Sequence, residues 1–119
     1  AARKSVDALM KRYALDKVSG DSEAVVLFTS GSENYPKGVP LSHGNLLSNI
    51  HGVLECAQAI TSDCVFGVLP PFHSFGFTVT TVGPAISGLK AAYYPNPTEY
   101  RKISREVARW KPTIYLGTP

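Results

Sequence analysis

Cysteine is scarce: Cys56 and Cys64 are the only two in 119 residues. Two thiols cannot staple a chain of this length into a disulfide framework, and without a paired Cys-x-x-Cys they make poor zinc ligands, so no metal site is read. Both sit among apolar residues and are read as small buried hydrophobes of a protein kept in a reducing compartment. No apolar run approaches the length of about 18 residues that suggests a membrane helix. A basic stretch followed by an apolar segment and a cleavage site is also lacking, so no secretory leader is read.

Excess charge is equally limited. The net charge is +3, and all of it resides in the first twenty residues, where Arg3, Lys4, Lys11, Arg12 and Lys17 face only Asp7 and Asp16. The rest of the chain is neutral. A nucleic-acid-binding protein would spread a basic face across its fold, so nucleic acid is not expected as a partner and a solvated basic helix is. With 44% apolar and 18% charged residues, the composition is that of a globular domain, not of a coiled coil, a collagen or a disordered chain.

What is present is alternation of elements. Val6, Leu9, Met10 and Tyr13 recur at helical spacing and predict an amphipathic helix over 4–14, followed by a turn at 19–22. The run Ala24–Phe28 predicts a strand buried on both faces, leading into a polar loop at 29–38. Ser42 is a candidate N-cap for a helix whose apolar stripe is Leu46, Leu47, Ile50, Val53, Leu54 and Ala57. Cys64–Leu69 predicts a second strand, closed by Pro70-Pro71. Residues 73–87 predict a buried helix kinked at Gly83-Pro84. Residues 91–94 predict a strand, Asn96 and Pro97 open a helix to Trp110 with Tyr100, Ile103 and Val107 facing inward, and residues 113–116 predict a last strand. Strands alternating with helices give the expected fold class: α/β, with a mostly parallel sheet and right-handed crossovers. Ending directly after a strand, the chain is expected to be a piece of something longer.

The chemistry concentrates in Thr29-Ser30-Gly31-Ser32-Glu33-Asn34-Tyr35-Pro36-Lys37-Gly38. Hydroxyls and free backbone N–H groups donate to phosphate oxygens, glycine lets the backbone approach, and a lysine neutralises the remaining charge. Each hydrogen bond to a charged oxygen is worth roughly 1.5–3 kcal/mol, so a few of them decide affinity. The order of residues is not that of a Walker loop, because Gly38 rather than Ser or Thr follows Lys37. Composition alone also allows a polar surface connector here.

Read from Leu27 to Val39, this string resembles the phosphate-binding signature of the acyl-adenylate-forming enzymes, whose common form is Thr-Ser-Gly-Thr-Thr-Gly-x-Pro-Lys-Gly. It departs at Glu33 and Asn34, and a Ser-Gly-Ser-Glu version resembles the bacterial acyl-carrier-protein synthetases, often fused to 2-acylglycerophosphoethanolamine acyltransferase. Ser42-His43-Gly44-Asn45-Leu46 and Leu69-Pro70-Pro71-Phe72-His73-Ser74-Phe75-Gly76 are similar to further family segments. So are Tyr94–Arg101 and the ending Leu116–Pro119. The resemblance spans about residues 22–119, a partial AMP-binding domain behind an N-terminal helix and turn at 1–21.

The resemblance implies joining of a fatty acid to ATP, giving acyl-AMP and pyrophosphate, then acyl transfer to the thiol of acyl-carrier protein. It implies ATP and Mg²⁺ as cofactors. Thr29, Ser30, Gly31, Ser32, Glu33, Asn34, Lys37 and Gly38 would line the phosphates, while Phe72, His73 and Gly117 would belong to the acyl and carboxylate pocket. His73 reads equally as a locally bonded helix-start residue; His43 is expected in a first helical turn and His51 on a helix surface. The family's adenine-binding Tyr-Gly-x-Thr-Glu, its ribose-binding aspartate and its C-terminal lysine have no counterpart here. No catalytic residue can therefore be assigned, and the chain alone is expected to be inactive, with apolar faces that could pair it into a dimer. Two alternatives stand: an acyl-CoA ligase of the same superfamily, or a non-catalytic anion-binding α/β module. The expected location is the cytoplasm, or the bacterial inner membrane through other parts of a parent chain.

Overall fold

Two units divide the chain, residues 1–45 and 46–119, and the structure, a computed structural model, describes residues 2–29 and 35–117. In the first unit the predicted amphipathic helix forms as α1 (Ala2–Arg12), with Lys11 and Arg12 at the dipole end that favours cations. It stops before Ala14, which adopts a left-handed conformation at φ 52°. Val6, Leu9, Met10 and Tyr13 stay exposed.

The next strand departs from expectation. β1 (Glu23–Thr29) is not buried on both faces: Val25 and Leu27 are half-buried, whereas Val26 is exposed and Phe28 is 71% exposed. The reason is its pairing, antiparallel with β2 (Lys37–Ser42), in a two-stranded ribbon that leaves one face of β1 uncovered. The register sets Phe28 opposite Gly38 and Thr29 opposite Lys37. β2 was not anticipated. It opens Lys-Gly and contains Pro40, a residue that strands tolerate only at an edge.

Ser42 caps the following helix, α2 (His43–Ala57). The Asn45 amide donates to Ser42 Oγ at 3.2 Å and the Ser42 amide donates to Asn45 Oδ1 at 3.1 Å, a reciprocal cap. The predicted stripe is narrower than expected. Leu46 and Ile50 are buried and Val53 and Leu54 half-buried, but Leu47 and Ala57 are exposed. Cys56 is exposed on this helix and Cys64 only half-buried, so neither thiol is the buried hydrophobe expected. Cys56 lies six residues beyond Ile50, far round the helix from the buried stripe.

The second unit holds a three-stranded parallel sheet in the order β4-β3-β5, built from β3 (Cys64–Gly67), β4 (Lys90–Tyr93) and β5 (Ile114–Leu116). Alternation along β3 sends its residues to opposite faces. Phe66, fully buried, and Val68 pack with Ala92 and Ile103, with Val107 beside them, so α4 (Tyr100–Trp110) covers this face. Val65 points the other way, toward Ile50 of α2 and Val79. The Phe66 and Tyr115 rings stack at 5.8 Å across β3 and β5. This is a helix–sheet–helix arrangement around one core, the α/β class expected.

Two helices differ in detail from their predictions. The segment read as kinked at Gly83-Pro84 winds through seven residues of wide, i→i+5 geometry (Gly76–Val82) before α3 (Gly83–Ser87). Pro84 cannot donate a backbone hydrogen bond, and the widened turns lead into it. Asn96 does not cap α4 directly; its Oδ1 closes a turn with the Thr98 amide at 3.1 Å. Glu99 caps instead, its carbonyl accepting from Ile103 at 3.0 Å. The helix therefore starts three residues after Pro97, and Tyr100, expected inside, is 76% exposed.

Candidate functional site

The polar loop joins β1 to β2. Thr29 ends one strand and Lys37 begins the other, and as cross-strand partners they project from the same face of the ribbon with Cβ atoms about 5 Å apart. Both are exposed, as is Gly38. Ser30, Gly31, Ser32, Glu33 and Asn34 lie outside the described residues.

In the second unit the chain enters the sheet at β3, moves to β4 on one side, then crosses to β5 on the other. The connections to β4 and β5 run over opposite faces, so the two neighbours of β3 diverge at its carboxyl end. Open α/β sheets bind ligands in the crevice at such a reversal. Phe72 and His73 follow β3, and Gly117 follows β5, so these three predicted residues share the carboxyl edge. All three are exposed. The His73 amide donates to the Pro70 carbonyl at 3.1 Å, its carbonyl accepts from Phe77 at 2.8 Å, and its ring lies 4.6 Å from that of Phe72. The backbone is held and the imidazole remains accessible. His43 opens α2 and is exposed, while His51 lies on the helix surface, 3.2 Å from Glu55.

A cleft of about 330 Å³ opens between the ends of β3 and β4, lined by Gly67–Pro71, Thr80, Thr81 and Tyr93–Pro95. Tyr93 and Thr80 were missed from the sequence, although a glycine inside a strand signals close approach by a neighbour. An added Cβ on Gly67 would lie 2.9 Å from Tyr93 Cδ1 and 3.1 Å from Thr80 Cβ. Burial pushes the Tyr93 hydroxyl pKa up. At the rim, the Tyr94 hydroxyl donates to the Glu99 carboxylate, which also accepts from Lys102 Nζ at 2.7 Å. The two donors hold Glu99 below the usual carboxylate range, and its charge raises both Lys102 and Tyr94. Asp63 is likewise lowered, first by the Ile60 amide donating at 2.7 Å and then by Thr113. A separate void of about 40 Å³, between Ile50, Val65 and Val79, is lined almost entirely by apolar side chains. Among the described residues no three acidic, histidine or cysteine side chains cluster as a metal site.

This topology defines an open α/β protein with a cleft at the strand carboxyl ends. Residues 2–119 match the family described as AMP-binding enzyme, and the chain belongs to that family. It is 32% identical over 123 residues to Long chain acyl-CoA synthetase 8 of Arabidopsis thaliana, covering 96% of this chain and 17% of that protein. It is 32% identical over 106 residues to the medium-chain-fatty-acid acyl-carrier-protein ligase JamA of Moorena producens, covering 82% and 18%. The fatty acyl-adenylate ligase from L. pneumophila, solved with acyl adenylate and pyrophosphate, matches with a TM-score of 0.74 at 27% identity, over 82% of this chain and 18% of its own. The chain thus spans less than a fifth of the length of these relatives.

Proposed function

We propose that this segment grips ATP phosphates and receives the acyl group in an enzyme that activates a fatty acid and passes it to a carrier-protein thiol. In the first step a carboxylate oxygen bonds to the α-phosphorus and the bond to the departing pyrophosphate breaks. In the second, the thiolate sulfur takes the acyl carbon and AMP leaves. Both partners of the first step are anions, so positioning and charge stabilisation dominate its catalysis.

The observation that carries this reading is the pairing of Thr29 with Lys37 at the base of the family's phosphate-binding loop. The hydroxyls of Thr29, Ser30 and Ser32 and the amides of Gly31 and Gly38 donate to phosphate oxygens, and Lys37 offsets their charge. Magnesium is usually held by substrate phosphates with one or two carboxylates. The hydroxyls and the Glu33 carboxylate are oxygen donors of the kind such an ion takes, and the ion would neutralise the departing pyrophosphate. Asn34 stands where the family's common form has glycine, and asparagine is among the residues that best tolerate a left-handed backbone. Phe72, His73 and Gly117, exposed at the carboxyl edge of the sheet, would meet the acyl group and its carboxylate.

Carrier protein as acceptor is favoured by Ser32-Glu33 and by the similarity to JamA. CoA is the second reading, favoured by the equal identity to the plant synthetase. The test is ATP–pyrophosphate exchange by a complete protein containing this segment, with medium- and long-chain fatty acids. Exchange dependent on fatty acid supports the proposal; failure to bind ATP in calorimetry removes it. Turnover with acyl-carrier protein and with CoA then separates the acceptors.

A further inference from the structure

We propose that Tyr93 determines which acyl groups the crevice admits, by fixing the distance between the sheet edge and the helix that walls it. The inference rests on the acyl-activating function proposed above. Pro84 has no N–H and interrupts the backbone ladder just beyond the i→i+5 turns that hold Thr80. A buried carbonyl left unpaired is costly, and Thr80 is 1% exposed. Its own hydroxyl is committed elsewhere, donating to the Gly76 carbonyl at 2.6 Å. The Tyr93 hydroxyl reaches across from β4 and donates to the Thr80 carbonyl at 2.7 Å.

The ring reaches this position because Gly67 lies beneath it without a side chain. Tyr93 is therefore both a wall of the cleft and a tie between sheet and helix. The opposite wall, Pro70-Pro71, is set by the same helix: an added Cβ on Gly76 would fall 2.2 Å from the Pro70 carbonyl oxygen. One helix thus locates both sides, and a single side-chain hydrogen bond registers it against β4. The walls between, Val68 and Leu69 among them, are apolar, which suits a hydrocarbon chain rather than a polar group.

The test compares Tyr93→Phe and Tyr93→Leu with the wild type in the complete enzyme, across saturated fatty acids of graded length. Removing the hydroxyl frees the helix, and Tyr93→Leu also shortens the wall. One methylene in an apolar pocket is worth about tenfold or more in kcat/KM. The length preference of both variants is therefore expected to move toward longer chains by about tenfold in relative kcat/KM, through KM for the acid, with KM for ATP changed less than about twofold. An unaltered length profile in both folded variants overturns the assignment, as does an equal loss at every length accompanied by weaker ATP binding. A wild-type enzyme that activates no fatty acid fails the functional reading itself. A selective wild type with unselective effects of substitution fails Tyr93 alone.

Discussion

Lys37 is exposed and stands opposite Thr29 across the ribbon. Replacing it with alanine removes a charged donor worth roughly 1.5–3 kcal/mol to a phosphate oxygen. In the complete enzyme, Lys37→Ala is expected to raise KM for ATP about tenfold to a hundredfold with an unchanged melting temperature. Steady-state kinetics and thermal unfolding check both halves. Glu99 plays the opposite part, joining Tyr94, just after β4, to Lys102 of α4. Its lowered pKa means that its contribution is present above the ordinary glutamate value and is lost as pH falls through the lowered one. The raised Lys102 and Tyr94 contribute below their ordinary values and lose that contribution as pH climbs through the raised ones. Glu99→Gln is therefore expected to be less stable than wild type by a constant margin between roughly pH 5 and 10, closing at both extremes. Urea titrations across pH measure the margin.

At the scale of elements, helices were the most legible. α1, α2 and α4 follow from spacing alone, because a helix needs only local bonds and one apolar stripe. Ser42 was readable as a cap for the same reason, and Ser42→Ala is expected to cost about 1 kcal/mol, measured by denaturant unfolding of the 119-residue chain. Strands were read less well, since what covers them is decided far away in sequence. Ala24–Phe28 carries the apolar run of a central strand but pairs with a neighbour whose Lys-Gly start and Pro40 hide it. Tyr100 sits at inward spacing yet lies outside, because Glu99 rather than Asn96 starts its helix. The widened turns of Gly76–Val82 announce themselves only through Pro84, which breaks the backbone ladder just beyond them.

For the whole molecule, the α/β class and the family were within reach of the sequence, because Thr29–Gly38 and Leu69–Gly76 are long, specific strings. The cleft was not: Tyr93, Thr80 and Gly67 meet through a parallel pairing and a helix that no local pattern specifies. The 119 residues contain no Tyr-Gly-x-Thr-Glu string and cover less than a fifth of the relatives' length. By itself the chain is expected to support no ATP–pyrophosphate exchange, and a radiolabelled pyrophosphate assay with fatty acid present checks this. Measurable exchange by the chain alone would show that adenine recognition is dispensable.

The ribbon of β1 and β2 also bears on how such a segment can diverge. Its ladder anchors the threonine and the lysine through main-chain pairing, independent of whatever residues span the tip. Positions 33 and 34 can then drift from the common pattern, as they have, while the two anchors keep their spacing. A lineage could retune the tip for a different metal balance or phosphate geometry without rebuilding the hand that holds it.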